Sequence, residues 1–290
     1  MTLTKSPALP VALLILAIIS TQLGAALSKS LYAAVGAEGA TVYRFGISAV
    51  ILAVFFKPWK AKIDSTNWKT LLIYGAAMCG TCLFFYLSIR TIPLGIASTI
   101  EFTGPMAVAL FSSRHRIDLL WIGLAAIGLL LLMPFRSAEA GLDITGVIYV
   151  ILAAICWAIY IVAGQKAGAL HGMRTTALGV LIATALVLPV GFSHAGVTLF
   201  DVALLPTGLA LALLTSTIPF TLEMVALQRL SALAFGTLLS LEPAIACLIG
   251  FAFLKENLSL LQCIAIALIV AASIGITLSA GPKTPEVPVA

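Results

Sequence analysis

The chain has 290 residues, 61% of them hydrophobic and only 9% charged, with a formal net charge of +5 and a mean hydropathy of +1.16. A soluble domain carries about 25% charged residues, so this composition cannot furnish a water-facing surface, and lipid is the solvent that accommodates it. The positive balance comes without a basic cluster interleaved with aromatics, which argues against nucleic acid and for lysines and arginines beside anionic lipid.

A helix needs about 20 apolar residues to cross the hydrocarbon core. Cutting the apolar runs at charge clusters, glycines and prolines predicts ten spans, at 10–29, 39–56, 69–89, 94–112, 117–135, 144–165, 174–193, 202–224, 231–253 and 259–279. The first follows Lys5 and is too long for a signal-peptide core, so it reads as an uncleaved helix. Several linkers are only a few residues long and predict antiparallel neighbours. The last residues, 281–290, contain Pro282, Pro285 and Pro288 and read as a tail. Cys79, Cys82, Cys156, Cys247 and Cys263 all fall inside apolar runs. The Cys79-Gly-Thr-Cys82 spacing has nothing redox-like around it, so these thiols read as small packing residues.

With the N-terminus placed in the cytoplasm, eleven of the sixteen lysines and arginines fall on the inner side: Lys5, Lys57, Lys60, Lys62, Lys69, Arg114, Arg116, Lys166, Arg174, Arg229 and Lys283. Lys29, Arg44, Arg90, Arg136 and Lys255 fall outside. The bias predicts that both termini are cytoplasmic.

The sequence also resembles itself at an offset of 136–138 residues. Pro105-Met-Ala-Val-Ala-Leu matches Pro243-Ala-Ile-Ala-Cys-Leu, Gly36 matches Gly172, and an acid follows each proline by thirteen residues, Asp118 and Glu256. Five spans per copy, an odd number, would invert the second copy relative to the first. The predicted fold is therefore an all-α integral membrane protein of ten transmembrane helices in two inverted five-helix repeats, 1–139 and 140–280. That architecture points to secondary transport by alternating access.

Ionisable residues within spans are costly and mark functional sites by default. Glu101 lies mid-way along the fourth span, Glu242 mid-way along the ninth and Glu223 in the eighth. Glu101 and Glu242 each precede a proline, Pro105 and Pro243, that frees a backbone carbonyl, and the two are candidates to flank a midplane cavity. Such an acid could bind a cargo ammonium or carry a proton across; alternatively it is a protonated group hydrogen-bonded between helices. Lys29 and Arg44, near the outer ends of the first two spans, are candidates to receive a carboxylate or neutralise a glutamate; snorkelling to the interface is the other reading. Tyr86, Trp157 and Tyr160, with Tyr32 and Tyr43, could stack on an ammonium. Gln22 and Gln165 could line the cavity.

His115, His171 and His194 are scattered at predicted loop positions, and no HExxH, GxSxG or P-loop pattern occurs. The sequence therefore predicts no enzyme, no metal and no cofactor, and coupling to an ion gradient or to exchange. A channel stays open as an alternative.

Phe85-Tyr-Leu-Ser-Ile-Arg-Thr-Ile-Pro-Leu-Gly-Ile-Ala97, Glu101-Phe-Thr-Gly-Pro-Met-Ala-Val-Ala-Leu-Phe-Ser-Ser113, Phe55-Phe-Lys-Pro-Trp59, Cys156-Trp-Ala-Ile-Tyr160, Gly164-Gln165 and Ser240-Leu-Glu-Pro-Ala244 carry a family likeness. Over nearly its whole length the chain resembles EamA-type members of the drug/metabolite transporter superfamily, and among them the bacterial threonine/homoserine exporters. The resemblance implies ten helices in two inverted repeats, a bacterial inner-membrane location and efflux of small metabolites; with the intramembrane glutamates, the leading expectation is a proton-coupled exporter of small amino acids such as threonine and homoserine. A different small metabolite or a drug-like amine is the alternative cargo. It implies no site residues, so those above rest on the residues alone.

Overall fold

The computed structural model describes residues 8–63, 67–132, 143–254 and 259–279. Lys5, Arg136, Lys255, Glu256, Lys283 and the tail at 281–290 lie outside them, as do the side chains of Lys29 and Tyr32. Among the described residues all regular secondary structure is helical.

The order is α1 (Ala8–Phe56), α2 (Trp68–Ser88), α3 (Leu94–Glu101), α4 (Thr103–Ser112), α5 (Arg116–Leu132), α6 (Ile144–His171), α7 (Arg174–Ala195), α8 (Leu205–Ala212), α9 (Ile218–Arg229), α10 (Ala232–Leu238), α11 (Leu241–Leu254) and α12 (Leu260–Ser279). Among the described residues seven stretches are long and apolar enough to cross a bilayer, and two further apolar helices, Ala8–Gly24 and Ile96–Ser112, are shorter. The outward surface explains why lipid is needed. Phe55, Phe111, Ile144 and Leu278 are each at least 75% exposed, a covering that water would penalise.

As the sequence predicts, the first two spans are separate helices: α1 is two helical arms that meet at a kink at Gly36, whose φ of 70° and ψ of 177° are open only to glycine, in place of a longer loop. Gly172, its partner in the repeat, also has positive φ, 59°, at the junction of α6 and α7. The fourth and ninth spans are not single helices. The fourth breaks at Phe102 between α3 and α4, and the ninth breaks at Leu239-Ser240 between α10 and α11. Pro105 and Pro243 cause this locally, because a proline tolerated in a first turn cannot donate to the turn before it. The starts of α3 and α10 lie 138 residues apart, as do those of α4 and α11. The eighth span is interrupted by a π-helical turn, Leu213–Thr217, between α8 and α9. His171 and His194, expected in loops, instead fall in the last turns of α6 and α7.

The two halves are interleaved. The most extensive packing joins α2 to α6, α1 to α7, α5 to α12, α2 to α7, and α1 to α9 and α8. One main apolar core runs through these elements, with Phe45, Tyr74, Phe235 and Leu14 fully enclosed.

Candidate functional site

The break in α3/α4 leaves Glu101 as the last residue of α3, only 8% exposed. The matching break in α10/α11 puts Glu242 in the first turn of α11. Glu223 projects from α9, with its Oε2 accepting a 2.8 Å hydrogen bond from the Tyr160 hydroxyl on α6. Arg44, on the second arm of α1, completes the group. Glu101 feels the charge of Glu242, Glu242 that of Glu223, and both Glu223 and Glu242 that of Arg44. Four ionisable groups from α3, α11, α9 and α1 thus share one interior neighbourhood, drawn from both halves. Among the described residues one cation accompanies three acids, a balance with the capacity to take up protons or an additional cation.

The surrounding contacts fix these residues. Arg44 donates from Nε to Ser216 Oγ (2.9 Å) and from Nη2 to the Thr215 carbonyl (2.8 Å). Its guanidinium carbon lies 5.3 Å from the Phe45 ring centroid and 6.0 Å from that of Phe220, within cation–π range. The Tyr160 ring stacks on Tyr74 at 5.2 Å and meets Phe220 at 6.3 Å. Trp157 packs on Phe102, the residue at the α3/α4 break, at 5.0 Å. Gln22 on α1 donates to the backbone carbonyl of Glu242 (3.1 Å) and so ties the first helix to the break in the second half.

Of the remaining candidates, Gln165 is engaged elsewhere. Gln165 donates to the Leu230 carbonyl at 3.1 Å and holds the α9–α10 junction. Tyr86 lies one turn beyond Cys82 on α2, its ring 6.3 Å from that of Phe85. Lys29 belongs to α1, and its side chain is outside the described set. Among the described residues no group of three or more His, Cys, Asp or Glu is placed to hold a metal ion.

Residues 144–278 match the EamA-like transporter family. The threonine/homoserine exporter RhtA of Escherichia coli (strain K12) is 47% identical over 278 residues, covering 96% of this chain and 94% of that protein. RhtA of Salmonella typhimurium (strain LT2) is 47% identical over 271 residues, 93% of this chain and 92% of its own. The chain belongs to the EamA-like transporter family. It is thereby a member of the drug/metabolite transporter superfamily and a multi-pass membrane protein. A solved crystal structure shares the fold, with a TM-score of 0.77 at 19% identity over 93% of this chain and 97% of that one.

Within this EamA-family chain, some residues of consequence were not apparent beforehand. Cys82, read as a packing residue, sits where the charges of Arg44, Glu101 and Glu223 all reach it. Glu38, two residues past the Gly36 break, is 3% exposed and forms an ion pair with Arg90, with His194 Nε2 3.8 Å away. The partner of Arg90 lies within a glycine-flanked stretch, Gly36-Ala-Glu-Gly39, in which an acid resembles a loop residue. Asp118, the acid after the first repeat's proline, accepts from the amides of Arg114 and His115 (both 3.1 Å) and from Ser113 Oγ (3.3 Å). It locks the turn into α5.

Proposed function

We propose that this protein is a secondary active exporter of small amino acids of the threonine/homoserine type in a bacterial inner membrane, driven by protons through alternating access. Both termini are cytoplasmic in this reading, and two inverted five-helix repeats rock against one another. The observation that carries it is the gathering of Glu101, which is buried, and the half-buried Glu223, Glu242 and Arg44 from both halves into one interior neighbourhood. A zwitterion needs an anion for its ammonium and a donor for its carboxylate. Arg44 supplies the donor. The glutamates supply the anion and, when one is protonated, the coupling ion. The relatives named as threonine/homoserine exporters support the cargo class. The recurrence of the helix breaks at an offset of 138 residues, and of positive φ at Gly36 and Gly172, supports the repeat.

The aromatic wall of Tyr74, Tyr160 and Phe220 beside Glu223 favours one second reading, a drug-like amine held by cation–π contact. A panel of radiolabelled amino acids and amines in proteoliposomes under an imposed pH gradient separates the two. We expect saturable, counterflow-competent transport of threonine and homoserine. Uptake of amines alone would replace the cargo, and conductance without counterflow would make the protein a channel.

A further inference from the structure

α2 and α6 run antiparallel: Gly164 faces the Tyr74 ring, Gly80 faces Cys156 and Gly146 faces Ser88. α4 packs beside α6. A groove of about 370 Å³ opens between the three helices. From α6 it is lined by Ile159, Val162 and Lys166, spaced three and four residues apart and so on one helical face. That stripe is about 10 Å long by helical rise. Thr70 and Ile73, one turn apart on α2, and Val108 on α4 complete the wall. Ile73, Ile159 and Val162 are 40–50% exposed, so the groove opens on the outer surface of the bundle. Thr70 lies in the first turn of α2 and Lys166 towards the end of α6, which puts both at the same pole of the groove. No carboxylate lines it, and Lys166 forms no ion pair among the described residues. The surroundings of this pole are basic. Lys69 precedes Thr70, and Arg114 and Arg116 follow the end of α4. Asp118, which follows them, is committed to the amides of Arg114 and His115.

We propose that this groove binds an anionic phospholipid, with its phosphate held by Lys166 and Thr70 and an acyl chain laid along Ile73, Val108, Ile159 and Val162. The chain gains no hydrophobic driving force, because other lipid tails would surround it anyway. Selectivity therefore comes from the headgroup. A lysine and a hydroxyl receive the phosphate, and the lining offers no anion to the ammonium that a zwitterionic lipid brings with it. Basic pockets between membrane helices recognise anionic headgroups on this principle. In the orientation proposed above this pole is cytoplasmic. The site is separate from that of the cargo, since Tyr160 of α6 is buried in the main core and takes no part in the lining.

The test is a lipid titration of the purified full chain in detergent, read by native mass spectrometry. The probes are dioleoyl phosphatidylglycerol and dioleoyl phosphatidylethanolamine, which have the same chains and different headgroup charge. Wild type should bind the anionic lipid about fivefold more tightly, the effect of one lysine near an anionic headgroup. Lys166→Gln should bring the two lipids to near equality, and Lys166→Arg should retain the preference. Val162→Trp, which fills the groove from an exposed position, should weaken both lipids. Lys60→Gln, a basic residue outside the lining, should leave the preference intact. The proposal is overturned if Lys166→Gln keeps the wild-type preference, or if Lys60→Gln lowers it as much, which would mean diffuse surface charge. It is also overturned if Val162→Trp binds both lipids like wild type, or if inorganic phosphate at equal concentration displaces the lipid.

Discussion

Single side chains in this protein are held by few but specific partners. Glu38 is enclosed while Arg90 and His194 are about half exposed, so removing the arginine leaves a carboxylate in a site built for a pair. Such an orphaned charge typically costs about 1–3 kcal/mol. Arg90→Ala should therefore destabilise the detergent-solubilised protein more than Glu38→Gln does, and the double variant should recover part of the loss. Equal and additive losses in thermal unfolding would mean that the pair is not coupled. Asp143 offers a pH-dependent case outside the spans. The Gly146 amide, which its side chain caps at 3.0 Å, and the Thr91 hydroxyl hold its carboxyl below the usual range. Stability from a lowered carboxyl is present above its ordinary value and is lost as pH falls through the lowered one. The gap in melting temperature between wild type and Asp143→Ala should persist at neutral pH and shrink below about pH 4. A gap independent of pH would contradict the capping account.

At the scale of helices, the informative features are interruptions. The breaks at Phe102 and Leu239-Ser240 bring α4 against α10, and there Gly236 faces the Pro105 carbonyl. A Cβ at Gly236 would stand 2.5 Å from that oxygen, and the carbonyl is backbone and cannot turn aside. Gly236→Ala should cost about 1–3 kcal/mol and reduce transport along with stability, since it pries apart the two broken helices that carry Glu101 and Glu242. A variant with wild-type melting and transport rates would show that this contact does not hold the breaks in place. The helical positions themselves were legible in the sequence, because apolar run length and charge placement dictate them in lipid. The breaks were only half legible. Pro105 and Pro243 announced freed carbonyls, whereas the π-helical turn at Leu213–Thr217 did not, since Thr215-Ser216-Thr217 reads like any hydroxyl run that bonds back to its own helix.

Over the whole molecule, interleaving of the halves is what turns scattered charges into a site. Glu101, Glu223, Glu242 and Arg44 were recognisable one by one, because an ionisable residue inside a span is rarely without purpose. Their convergence was not recognisable, because α1 packs on α7, α8 and α9 rather than on its sequence neighbours, and no local pattern encodes that. The Glu38–Arg90 pair was hidden for another reason, because an acid between Gly36 and Gly39 resembles a loop residue. The account's central claim is that the buried glutamates couple amino-acid export to protons. Proton-driven threonine uptake into inverted vesicles, measured for wild type, Glu101→Gln and Glu242→Gln at matched expression, tests it most directly. The account predicts that at least one substitution abolishes uptake driven by the pH gradient. Unchanged proton-driven uptake in both would contradict it.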